Sequence, residues 1–181
     1  MARHFDQAEG LCEQPDAETE GYRLNHTMLR IKDPRRALDF YTRILGMRLI
    51  RRLDFEEMSF TLYFLAFLDE ADSQKVPADN GARTTWNFGR EGVLELTHNW
   101  GDEANPEVAF HDGNSEPKGF GHIAITVPDV YRACERFEQL GVDFVKRPQD
   151  GKMQGIAFIR DPDGYWIEVV QANLLEQQGL G

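Results

Sequence analysis

Apolar and polar positions alternate from residue 26 onward. His26, Met28 and Arg30 fall on one face of an extended segment, and Thr27, Leu29 and Ile31 on the other, which predicts a strand. Asp33-Pro34 then supplies an N-cap and a proline at the first helical position. Ala37, Leu38, Tyr41, Ile44 and Leu45 recur at helical spacing, and Gly46 marks the stop. Three strand-like runs follow, Met47–Leu53, Phe60–Leu68 and Gly92–Thr97.

The same order is written a second time. His122–Val127 opens a strand, Asp129 is a candidate cap, and Val130, Ala133, Cys134 and Phe137 form the helical stripe before Gly141. Strand-like runs return at Asp143–Lys146, Gly155–Arg160 and Tyr165–Val170. Each unit therefore reads strand, helix, strand, strand, strand. The expected fold class is α+β, built from two βαβββ modules at residues 22–100 and 119–173. An insert at residues 69–90 has no counterpart in the second unit, and its Asp, Gly, Pro and Asn content suggests a surface excursion with a short helix near Trp86. Residues 101–118 read as a linker, 1–21 as an N-terminal arm and 174–181 as a C-terminal tail.

Overlaying the repeats exposes the candidate chemistry. His26 and His122 open the first strands, and Glu95 and Glu168 lie in the last strands, within Leu94-Glu95-Leu96 and Ile167-Glu168-Val169. One glutamate on an amphipathic strand more often faces solvent, and one histidine at a strand start is more often structural. Four ligand-type residues at matching points of two repeats change that balance. Two such units packed together would bring two imidazoles and two carboxylates into one site. That donor set suits Zn²⁺, Fe²⁺, Ni²⁺, Co²⁺ or Mn²⁺ and offers no thiolate. His98, just past the strand, and His111, in the polar linker, are rival ligands.

Composition narrows the partners. The 181-residue chain carries 20 Lys and Arg against 31 Asp and Glu, a net charge of −11. So acidic a chain is a poor match for nucleic acid or an anionic membrane surface. Its two cysteines, Cys12 and Cys134, do not suggest a disulfide framework, and the N-terminus lacks an apolar signal core, so a cytoplasmic protein is expected.

Several stretches carry a family likeness: Thr27-Met-Leu-Arg-Ile-Lys-Asp-Pro34, Leu38-Asp-Phe-Tyr-Thr-Arg-Ile-Leu-Gly-Met47, Leu94-Glu-Leu-Thr-His-Asn-Trp100, Gly119-Phe-Gly-His-Ile123 and Asp161-Pro-Asp-Gly-Tyr-Trp-Ile-Glu168. Over about residues 22 to 173 the chain resembles the vicinal oxygen chelate superfamily and, within it, glyoxalase I. The resemblance implies His26, Glu95, His122 and Glu168 as metal ligands. The first ligand is Gln in some eukaryotic members and His in bacterial ones. It also implies glutathione contacts at Arg30, Asn99, Lys118, His122, Lys152 and Met153. Position 118 is often Arg, and Lys keeps the charge there but not the planar fork.

The implied reaction is isomerisation of the hemithioacetal of glutathione and methylglyoxal to S-lactoylglutathione, with no nicotinamide or flavin. Glu168 would move a proton from C1 to C2, Glu95 would assist from the opposite side, and the metal would act as Lewis acid. The arm, the insert and the long linker resemble the zinc-activated class, so zinc is expected, with nickel or cobalt as alternatives. Close relatives form a two-fold dimer with shared sites. The rival readings are a ring-cleaving Fe²⁺ dioxygenase, a non-catalytic binding protein and a thiol transferase acting on an antibiotic.

Overall fold

The computed structural model describes residues 6–173; the C-terminal tail and the first five residues of the arm lie outside that range. The first module runs β1 (His26–Arg30), α1 (Pro34–Asp39), β2 (Arg48–Phe55), β3 (Phe60–Ala66), α2 (Glu70–Ser73), α3 (Asn80–Phe88) and β4 (Val93–Asn99). The second runs β5 (His122–Thr126), α4 (Val130–Gln139), β6 (Phe144–Lys146), β7 (Ala157–Arg160) and β8 (Trp166–Val170). Two four-stranded sheets result, ordered β1-β4-β3-β2 and β5-β8-β7-β6. The expected pair of βαβββ modules is the observed fold.

Local chemistry explains the boundaries. All four α-helices start at an aspartate. Asp33, Asp69, Asp79 and Asp129 each accept a backbone N–H from the first turn through a side-chain oxygen, at 2.6 to 3.0 Å. After α1 the chain widens into a π-helical turn over Phe40–Ile44. Gly46 at φ 89° and Gly141 at φ 73° end the two main helices in the left-handed conformation that glycine adopts without strain.

In each module the first and last strands pair in parallel, whereas the hairpin-linked strands pair antiparallel. That arrangement makes each sheet two-faced. Leu29, Leu94, Leu96, Ile125, Ile167 and Val169 point into one core that also takes Ala37, Tyr41 and Ile44 from the first module and Val130, Cys134 and Phe137 from α4. The two modules of one chain thus share a core. Polar contacts reinforce the junction. The buried Tyr41 hydroxyl donates to Asp161 Oδ2 at 2.8 Å, and the Lys32 amide donates to Asp163 Oδ1 at 3.0 Å. Burial pushes the Asp161 carboxyl up to about 6, although the Tyr41 hydrogen bond works against it.

The insert forms two helices rather than one short one, and it does not merely skirt the surface. Trp86 of α3 and Leu68 pack on a second cluster of Ile50, Phe64, Ala66 and Val93, on the opposite side of the first sheet from the shared core. Arg51 Nε also donates to Thr84 Oγ1 of α3 at 2.8 Å. Among the described residues, no helix is long and apolar enough to cross a membrane.

Candidate metal centre and substrate-binding residues

Strand alternation and register position the candidate ligands. In the first sheet His26 pairs with Val93 and Met28 with Glu95; in the second His122 pairs with Trp166 and Ala124 with Glu168. Parallel pairing of β1 with β4 and of β5 with β8 is what makes each His a neighbour of its Glu. Nε2 of His26 lies 3.3 Å from Glu95 Oε2, and Nε2 of His122 lies 3.3 Å from Glu168 Oε2. The repeat extends to a residue that sequence reasoning overlooked. Phe64 pairs with Glu95 and Phe158 with Glu168. Each phenyl ring meets its histidine edge-on, with centroids 5.9 Å and 5.2 Å apart. Overlaying Leu62-Tyr63-Phe64 on Ile156-Ala157-Phe158 would have found them.

Within one chain the four residues form two separate pairs. Among the described residues, no group of three or more His, Cys, Asp or Glu is placed to hold a metal ion. The sequence expectation that two packed units bring all four together is therefore not met by the modules of a single chain. Their shared core lies on the other face of the sheets from the His–Glu pairs.

The two pairs differ in their surroundings. Glu95 is the more sheltered carboxylate, 12% exposed against 22% for Glu168. Thr97 Oγ1 donates to Glu95 Oε1 at 3.1 Å. The equivalent place in β8 is Val170, which offers no donor. Glu95 thus accepts a hydroxyl hydrogen bond from Thr97, and among the described residues Glu168 has no such donor at the equivalent place.

The glutathione candidates divide along the same line. Arg30 and Asn99 belong to the first module, on the face of β1 and β4 that carries His26 and Glu95. Arg30 is exposed, and Asn99 Nδ2 donates to Asp102 Oδ2 at 3.2 Å. His122, Lys152 and Met153 belong to the second module and Lys118 to the end of the linker before it; all four are exposed. Lys118 projects from a compact loop in which the Gly119 amide donates to the Gly113 carbonyl at 3.0 Å, and Nδ2 of Asn114 to the Gly121 carbonyl at 2.7 Å. The loop requires glycine at 113, because a Cβ there would lie 1.7 Å from the Phe120 carbonyl oxygen and φ is +83°. Lys152 and Met153 ride on a turn organised by Lys146, whose ammonium donates to the carbonyls of Arg147, Met153 and Ile156 at 3.4, 2.8 and 2.5 Å. Lys146 had no mark in the sequence beyond its charge.

The rival histidines lie elsewhere. β4 continues to Asn99, so His98 is inside the strand rather than past it, on the face opposite Glu95. It is buried, with Nε2 2.8 Å from Glu103 Oε2. The His111 ring accepts the Gly113 amide at 2.9 Å and contacts Ser115 within the linker loop. Both thiols are free: Cys12 is exposed, and Cys134 is buried, with burial pushing its pKa up to about 11.

Comparison with known proteins gives the family. The chain is 58% identical over 172 residues to the lactoylglutathione lyase of Pseudomonas aeruginosa, covering 95% of each. It is 54% identical to that of Pseudomonas putida, covering 90% of this chain and 92% of that one. The trypanothione-dependent glyoxalase I of Leishmania major shares 30% identity and superposes with a TM-score of 0.61, covering 87% of this chain and 92% of that one. With residues 23–169 matching its profile, the chain belongs to the Glyoxalase/Bleomycin resistance protein/Dioxygenase superfamily.

Proposed function

We propose that this chain is a metal-dependent lactoylglutathione lyase, isomerising the hemithioacetal of glutathione and methylglyoxal to S-lactoylglutathione. The observation that carries this reading is the repeated His–Glu pair, 3.3 Å apart in both sheets and at the same register. The names of the Pseudomonas relatives support it over ring cleavage or passive binding.

The donor set fits a divalent ion. Imidazole nitrogens and carboxylate oxygens are held side by side in each pair, and the thiol of Cys134 is buried in the core. Such donors suit Zn²⁺, with Ni²⁺ or Co²⁺ as alternatives. His26, Glu95, His122 and Glu168 would hold it. Bound there, the ion supplies Lewis-acid stabilisation of the charge that develops on the substrate oxygens. Glu168 is the residue free to take the C1 proton and return it to C2, since among the described residues no hydroxyl holds its carboxylate as Thr97 holds Glu95. Glu95, held by the Thr97 hydroxyl, keeps its place and assists from the opposite side. Arg30, Asn99, Lys118, His122, Lys152 and Met153 bind the glutathione portion, the basic groups supplying local positive charge in an acidic chain.

A complete site then forms between two chains of a two-fold homodimer, each contributing His26 and Glu95 to one site and His122 and Glu168 to the other. The separation of the pairs within one chain supports this, as does the exposure of Met28 on the same face as His26. The two free thiols fit a reducing, cytoplasmic setting. The test is direct. Pure protein given methylglyoxal and glutathione should form thioester, lose activity to a chelator and regain it with Zn²⁺. No thioester with Zn²⁺, Ni²⁺ or Co²⁺ restored, or full activity in metal-free protein, would refute the reading.

A further inference from the structure

One residue ties the start of β1 to the end of α3. Asn25, half-buried, donates from Nδ2 to the carbonyl oxygens of Asn87 at 3.0 Å and Arg90 at 2.8 Å. Carbonyls only accept, so the amide cannot be reversed without losing both bonds. Its Oδ1 is thereby turned to His26 Nδ1, 2.6 Å away. An amide oxygen also only accepts, so the ring proton belongs on Nδ1. Nε2, facing Glu95, is then the bare nitrogen of the neutral ring.

The neighbouring contacts run the same way. Arg23 Nη1 donates to the Gly89 carbonyl at 3.0 Å. Phe88 lies edge-on to His26 at 6.3 Å and to Phe64 at 5.5 Å. Four consecutive residues at the end of the insert, Asn87 to Arg90, thus grip the segment that carries His26. Among the described residues, the second module has nothing equivalent. Gly121 precedes His122, and its carbonyl is taken by Asn114.

We propose that Asn25 is a positioning residue for His26. It holds the ring in the Nδ1–H tautomer with Nε2 aimed at Glu95, and it makes the insert the support of the first half-site. The proposal rests on the reading of His26 as a metal ligand. A ligand whose tautomer and orientation are set before the ion arrives binds it more tightly. Partners of this kind typically contribute about 10- to 100-fold in metal affinity.

The experiment uses the full metal-free chain with ¹⁵N-labelled histidine, at about pH 8, above the ordinary histidine range. Long-range ¹H–¹⁵N spectra of the wild type should show His26 protonated at Nδ1. Asn25→Leu should release that tautomer, whereas Asn25→Asp, which still offers an acceptor oxygen, should keep it. The His122 signals should stay unchanged and report an intact fold. Zinc affinity, read by chelator competition, should fall about 10- to 100-fold in Asn25→Leu and partly recover in Asn25→Asp. A wild-type His26 protonated at Nε2 overturns the proposal without any variant. So does an Asn25→Leu chain with unchanged tautomer and zinc affinity. A wild type that shows the Nδ1–H form but binds no zinc refutes the ligand reading instead, and so separates the two failures.

Discussion

The two sheets carry the same three side chains at the same places, His26, Glu95 and Phe64 in one and His122, Glu168 and Phe158 in the other, yet they finish them differently. The insert buries Phe64 and Val93, while their equivalents Phe158 and Trp166 remain partly exposed. Asn25 and Thr97 hold the first His and Glu. Gly121 and Val170 stand at the matching positions of the second and hold nothing. A repeat can thus keep the donor atoms and still divide the labour. Under the proposed function, the first half-site would stay fixed and the second would let a carboxylate move.

The largest expected effect tests that division at Glu168. Glu168→Gln should keep its fold and lower the chemical step by roughly 10²–10⁴-fold. Metal content is measured alongside, because a lost ligand can imitate a lost base. A metal-loaded Glu168→Gln enzyme turning over at the wild-type rate would transfer the role to Glu95 and invert the comparison.

The next asks whether unlike halves meet across chains. Glu95→Ala and Glu168→Ala, each inactive alone, are refolded together. In a mixed dimer with shared sites, one site carries both lesions and the other carries none. Random pairing should therefore restore roughly a quarter of wild-type activity. Proven heterodimers without activity would mean that each site is made within one chain.

A smaller effect is expected at Arg30, on the fixed half. Arg30→Ala should raise KM with little change in kcat. Loss of one charge-assisted hydrogen bond costs about 1.5–3 kcal/mol, which is roughly tenfold or more in KM. An unchanged KM removes Arg30 from the glutathione site.

The last concerns stability rather than rate, at the junction that both modules share. Burial raises the Asp161 carboxyl from 3.8 to about 6. The folded state therefore holds this proton more tightly than the unfolded chain. The group's contribution is fully present below about pH 4 and is lost as pH rises through about 6. Relative to Asp161→Asn, the wild type should lose up to about 3 kcal/mol across that window. Denaturant midpoints from pH 4 to 7 measure it, and parallel curves for the two proteins would contradict the burial argument.

Much of this architecture was legible because the pattern occurs twice. Alternation placed His26 and Leu29 on opposite faces, and capping aspartates with stop glycines bounded the main helices. What escaped notice depends on distant partners. Asn25 looks like any polar residue before a strand until the chain brings it to Asn87 and Arg90. Likewise, the apolar character of Trp86 predicts a helix but not which sheet it covers. His98 reads in the sequence as lying just past a strand that ends at Thr97, whereas pairing with β3 carries the strand on to Asn99. The roles given to individual site residues rest on the proposal and its tests.

The parallel pairing of first and last strands also bears on how such a chain becomes competent. His and Glu stand at opposite ends of each module, so neither pair exists until its module has closed. Ligand assembly should therefore report completed folding, not an early hairpin. The loop that His26 and Glu95 close is about one and a half times as long as that closed by His122 and Glu168. By chain statistics, that extra length costs only roughly 0.4 kcal/mol of closure entropy. A module of this topology can take in a helical segment between its third and last strands at almost no thermodynamic cost, and this chain uses that freedom to support His26 and not His122.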